Sequence, residues 1–214
     1  MSYSRYRHVA IEDAKPAPTA RQIAAVERVL GASLPTSFVE FLAVANGGYC
    51  EYVVDVPLGD GSTEEMSFCG IFSVDEGTFC DETLVGEIRA GREYAKIPEG
   101  VLPFARDGGG SILYLDLSPE GRGRVVAFVT GLPDWAGSRS ESALVELAPS
   151  FDAYVDSLRI DRAAVLDHLE HDVTELAQVE AIEEWLDIGC PNWRRDDGEL
   201  VATVVQVRGR LAGA

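Results

Sequence analysis

Asn46-Gly47-Gly48 places three residues tolerant of positive φ in a row, and the chain obeys different periodicities on its two sides. Before the triplet, apolar residues recur at helical spacing. Ile23, Val26 and Leu30 follow Thr19, which suits an N-cap, and Gly31 suits the left-handed position that closes a helix. Pro35 fits the first turn of a second helix, whose Phe38, Phe41, Leu42 and Ala45 form one stripe. After the triplet, Tyr49–Val56 and Met66–Val74 are rich in β-branched and aromatic residues and read as strands. Glu82–Ala95 reads as a short helix. Val101–Ala105, Ile112–Leu117, Val125–Thr130 and Leu144–Leu147 read as further strands, punctuated by Gly108-Gly109-Gly110 and by Pro119–Gly123. Pro149–Leu158 returns to helical spacing.

Three segments follow from this pattern. Residues 1–18, which end in Pro16 and Pro18, read as a flexible N-terminal arm. Residues 19–160 form an α+β domain with a mixed, mostly antiparallel sheet flanked by N-terminal and C-terminal helices. Residues 161–214 read as an extra α-helical C-terminal tail packed on that domain, with stripes at Val165, Leu166 and Leu169 and at Val179, Ile182, Trp185 and Leu186. The stretch around Trp185 faintly resembles one ankyrin unit. A lone unit cannot bury its own face, and the chain holds no second copy.

Charge narrows the partners. The chain carries 18 basic and 36 acidic residues, a net of −18. Asn46 to Glu99 holds twelve acids and three bases, and Asp161 to Ala214 twelve acids and five bases. Such a chain is repelled by nucleic acid and by anionic membranes, and its acidity serves either attraction to basic partners or solubility alone. No apolar run approaches the roughly 20 residues of a membrane span, and the start lacks a secretory apolar core. Cytoplasmic placement is therefore expected, with the four cysteines as reduced thiols. Lysine occurs only at Lys15 and Lys96, as in GC-rich bacterial genomes.

The sequence offers no catalytic, metal or cofactor site. Gly108-Gly109-Gly110-Ser111 precedes a strand, whereas a phosphate loop opens a helix. Asp75, Glu76, Asp81 and Glu82 lack the alternation of a calcium loop. No cysteine pair has zinc spacing, and no histidine lies near Cys50 or Cys80 in sequence. The acidic loop instead reads as a solvated or partner-facing surface, together with Glu51 and with Tyr49, Tyr52 and Trp135, which read either as aromatic anchors among acids or as partly buried core residues.

Two blocks carry a family resemblance. Residues 23–48, IAAVERVLGASLPTSFVEFLAVANGG, resemble the opening of the SUKH superfamily through Glu27, Leu34, Pro35, Phe38, Phe41, Leu42, Asn46, Gly47 and Gly48. Residues 97–118 resemble its second block through Pro103, Phe104, Ala105, Asp107, Gly109, Leu115 and Asp116. The similarity covers about residues 19–160. Ser111 departs from the Asp or Asn that family members often carry there, and Asp60–Glu65 matches loosely.

The resemblance implies a non-enzymatic α+β protein. Bacterial members are mostly regarded as immunity proteins that bind toxin domains, often nucleases or deaminases. Fungal relatives are scaffolds in cell-wall signalling. The expectation is thus a monomer or weak homodimer that binds a protein, foremost a basic toxin domain, with a general interaction scaffold as the alternative. Glu27, Pro35, Phe38, Asn46, Gly47, Gly48, Asp107, Gly109 and Asp116 are expected to be structural.

Overall fold

The computed structural model describes residues 3–57, 63–75, 82–129 and 143–213. The chain opens with a short antiparallel pair, β1 (Ser4–Tyr6) and β2 (Val9–Ile11). Helices α1 (Ala20–Leu30) and α2 (Thr36–Leu42) follow. Six strands then form one sheet in chain order: β3 (Tyr49–Pro57), β4 (Thr63–Ile71), β5 (Val101–Arg106), β6 (Ile112–Asp116), β7 (Arg124–Val129) and β8 (Ala143–Ala148). Every ladder between these strands is antiparallel, and an isolated bridge between Ser73 and Thr83 runs parallel, in keeping with the expected α+β class. Helix α3 (Leu84–Ala90) lies between β4 and β5 and runs into a π-helical turn, Gly91–Ala95. Helix α4 (Phe151–Ser157) follows the sheet.

Local chemistry sets these boundaries. The α1 N-terminus is a reciprocal cap: Gln22 N–H donates to Thr19 Oγ1 at 3.3 Å, and Thr19 N–H donates to Gln22 Oε1 at 2.9 Å. Gly31 closes the helix at φ +84°, its N–H donating to the Glu27 carbonyl. The Glu27 side chain then accepts from the Leu34 N–H at 2.9 Å and steers the chain towards Pro35 and α2.

Helices meet the sheet through an aromatic cluster. Phe38 and Phe41 from α2, Phe68 from β4, Phe104 from β5, and Phe151 and Tyr154 from α4 are all buried. Phe38 and Phe151 meet edge to face at 5.0 Å between centroids, and Phe41 and Phe151 at 5.2 Å. Such geometry adds about 0.5–1.5 kcal/mol per pair beyond area burial. Strand β3 alternates cleanly, with Cys50, Tyr52, Val54 and Val56 turned inward. Its outer edge is sealed by backbone pairs with Glu12 (2.8 and 2.9 Å) and with Arg159 (2.8 and 3.0 Å).

The expected flexible arm is corrected by the structure. Val9, Ala10 and Ile11 are buried, and Val9 and Ile11 belong to the main core. A triplet of apolar residues supplies a strand, and its burial outweighs the loosening expected of Pro16 and Pro18. Asn46 anchors the end of this segment, donating from Nδ2 to the Pro16 carbonyl at 2.8 Å.

The C-terminal extension comprises α5 (Arg162–His171), α6 (Leu176–Gly189), the short α7 (Trp193–Asp196) and α8 (Gly198–Ala212). It has an apolar cluster of its own, centred on Leu169, Val179, Leu186, Trp193 and Leu200. Ile160 and Trp185 pack against both this cluster and the main core, so they form the joint.

Candidate functional site

The joint leaves a groove. Its volume is about 790 Å³, and it runs between the β3–β4 region, residues of the β1–β2 segment, and helices α5 and α6. Tyr52, Val53, Val165, Ile182 and Trp185 supply apolar lining. Trp185 stands edge-on to Tyr52 at 6.1 Å. Gly189 permits this docking, because a Cβ there would lie 2.6 Å from Ile160 Cδ1 and 3.0 Å from the Tyr52 hydroxyl. Glu12, Glu51, Asp161 and Glu175 also line the groove, and its lining includes neither lysine nor arginine.

The phenols register this negative field. Burial pushes the Tyr3 hydroxyl above its ordinary pKa, and Glu12, Glu184 and Glu51 push it further. Tyr49 is shifted the same way, by burial first and then by Cys69 and Glu51. The Tyr49 hydroxyl donates to Glu51 Oε1 at 3.2 Å, and the Tyr3 hydroxyl to the Ala181 carbonyl at 3.4 Å. Tyr49 remains 43% exposed, which leaves a large ring at the groove mouth.

The expected partner-binding residues separate into four groups. Tyr49 and Glu51 do line one surface. Tyr52 was expected as an interface anchor, but it is 1% exposed. Its hydroxyl donates to the His8 carbonyl at 2.9 Å and accepts from the Ala10 N–H at 2.9 Å. Burial pushes its pKa up to about 12. Tyr52 is corrected to a structural residue at the groove floor, because the β1–β2 segment covers it. Asp75 is held by Lys15 Nζ at 2.6 Å, and Glu82 by Arg106 at 3.3 Å. Their charges are met within the chain. Glu76, Asp81 and Trp135 lie outside the described residues.

The motif residues all have structural partners or positions. Asn46 Oδ1 accepts from the Val74 N–H at 2.7 Å. Gly47 and Gly48 sit at φ +73° and +99°. Asp107 Oδ1 accepts from the Ser111 N–H at 2.6 Å and closes the β5–β6 turn, which contains Gly109. Asp116 accepts from Ser118 Oγ at 2.6 Å and pairs with Arg124 at 3.0 Å. Partial burial opposes its ionisation, but the hydrogen bonds from Ser118 and Arg124 outweigh it and hold the carboxyl below its ordinary pKa. Pro35 starts α2, and Phe38 is core.

Sequence reasoning missed the far wall. Tyr3 and Glu12 were assigned to the arm, and Asp161, Glu175 and Trp185 to the tail. The usable signal was the α6 stripe, where a tryptophan faces the same way as Ile182. Among the described residues, no three His, Cys, Asp or Glu side chains cluster to hold a metal ion. Burial also raises the Cys50 thiol well above its ordinary pKa, which removes its nucleophilic form. No helix among the described residues is long and apolar enough to cross a membrane.

No curated protein matches the chain. A comparison with protein families matches residues 17–157 to the SMI1 / KNR4 family (SUKH-1), a span that holds both sequence blocks and the whole described sheet. The chain therefore belongs to the SMI1 / KNR4 (SUKH-1) family.

Proposed function

We propose that this protein is a non-enzymatic immunity protein that binds and neutralises a basic toxin domain, one that acts on nucleic acid, in the cytoplasm. Membership of the family supports a protein-binding module of immunity or regulatory type. The observation that carries the finer reading is the groove: apolar and aromatic inside, acidic along its lining, and free of lysine and arginine there. Nucleic-acid-directed enzymes carry basic clefts that hold phosphates. An acidic surface competes for such a cleft, and the net charge of −18 speeds the encounter. An exposed aromatic such as Tyr49 then slows release by filling a dry pocket.

The test is recovery of a tagged full-length chain from its native cell at low and at high salt, with the bound proteins identified by mass spectrometry. The reading requires a basic C-terminal domain of a secreted protein that is lost as salt rises. Recovery of resident cytosolic proteins alone would favour a regulatory scaffold.

A further inference from the structure

The matched family span ends at residue 157, yet one wall of the groove comes from residues beyond it. We infer that the groove built between β3 and helices α5–α6 receives an arginine-bearing segment of the partner protein, so that the C-terminal extension takes part in selecting the partner. The inference rests on the protein-binding reading above and adds to it the chemistry of the occupant.

The groove lining lacks lysine and arginine. Many carboxylates on the surface are met by arginine: Asp152 and Asp156 by Arg7, Asp55 and Glu65 by Arg159, and Asp197 and Glu199 by Arg162. Glu12, Glu51, Asp161 and Glu175 form no ion pair among the described residues and line one cleft, where Asp161 also caps α5 by accepting from the Ala163 and Ala164 N–H groups and Glu175 heads the α6 capping box. Four carboxylates around an apolar floor are complementary to a side chain that is apolar along its stem and cationic at its tip. Arginine fits better than lysine. Its planar guanidinium stacks on aromatic rings, is less strongly hydrated, and presents a fork to paired carboxylates. Tyr49 and Trp185 provide such rings on opposite walls.

The groove's volume of about 790 Å³ falls within the range of small-molecule pockets as well. The charge decides between the two classes. Four acids and neither lysine nor arginine line the groove, and its one histidine, His168, faces Asp172 at 3.2 Å, so an anionic metabolite is repelled and a cationic side chain is attracted.

The full-length chain is titrated with an N-acetylated, C-amidated peptide of alternating arginine and leucine, and with its citrulline analogue, which keeps the shape without the charge. The binding site is mapped by amide chemical shifts. The arginine peptide should bind at least about tenfold more tightly than the citrulline peptide. Shifts should fall on residues 49–53 and on α6. The double variant Glu51→Gln, Glu175→Gln should lose about tenfold in affinity, and Asp75→Asn with Glu82→Gln should lose less than about twofold. Equal affinity for the two peptides, shifts confined to other surfaces, or no binding at millimolar concentration would overturn the inference.

The peptide comparison uses the unaltered chain, so it stands even if the double variant folds poorly. It also separates this inference from the proposed function. A chain that neutralises its toxin equally well with Glu51→Gln and Glu175→Gln removes the groove as the contact site and leaves the immunity reading intact. A chain that binds the arginine peptide in the groove but recovers only cytosolic proteins supports the groove and removes the toxin.

Discussion

Gly48 and Gly110 both adopt positive φ, at +99° and +91°, but only one is hemmed in. A Cβ on Gly48 would lie 2.4 Å from the Glu12 carbonyl oxygen, whereas a Cβ on Gly110 would meet nothing within 4 Å. Gly110→Ala should cost about 1 kcal/mol from backbone conformation alone. Gly48→Ala should cost about 3 kcal/mol, because the backbone pair that seals the β3 edge must also shift. Urea unfolding of the two variants measures the difference. Tyr154 gives a prediction of opposite sign. Its hydroxyl is buried, with no hydrogen-bond partner among the described residues. Tyr154→Phe should therefore be neutral or stabilising by about 1 kcal/mol. A loss of more than about 1 kcal/mol would show that the hydroxyl has a partner after all. Asp116 sets a pH response. Its folded pKa lies below the ordinary 3.8, so its contribution to stability is fully present above that value. The contribution is lost as pH falls through the folded value. Asp116→Asn should lower stability near neutral pH by about 2 kcal/mol and flatten the stability profile below about pH 4. The motif residues were legible as structural at this scale because their demands are local: a cap, a tight turn, an entry to a helix. Tyr52 was not, because its cover comes from His8 and Ala10, more than forty positions away.

At the scale of elements, both helices before the triplet and all six strands of the main sheet were legible from periodicity, with ends displaced by up to three residues. The β1–β2 pair was missed because two strands of three residues carry too little pattern to read. Their stability comes from burial against the core, a non-local effect. The extension was legible as helices. Its second apolar cluster was not, since periodicity shows which face of a helix is apolar but not what that face meets. Trp185 is the test of the joint. It is partly buried and packs on both clusters. Trp185→Ala should weaken the docking of α6 by about 2 kcal/mol, less than a fully buried aromatic would cost. Hydrogen exchange should then rise in the β1–β2 segment and in the first turns of α5 and α6, while β4–β7 keep their protection. Uniform loss of protection would mean that the extension and the main domain unfold as one unit.

For the whole molecule, charge carried the most functional information and placed it imperfectly. The acidic segment after Asn46 drew attention to the loop from Asp75 to Glu82. The structure engages both described ends of that loop in ion pairs with Lys15 and Arg106. The acids that line the groove come from four separate stretches of sequence, around residues 12, 51, 161 and 175. Summing charge along the chain cannot show that convergence. Association with a basic partner should slow steeply as ionic strength rises, while dissociation changes little. Stopped-flow kinetics across salt concentrations separates the two rates.

The central claim is that this chain neutralises a toxin by binding it. The most direct measurement is the growth of cells that express the recovered toxin domain, alone and together with the full-length chain. The account predicts arrest with the toxin domain alone and near-normal growth when the chain is co-expressed. It also predicts that rescue fails with Glu51→Gln, Glu175→Gln while the variant remains folded. Arrest that persists at equal toxin levels in the presence of the intact chain would contradict the account.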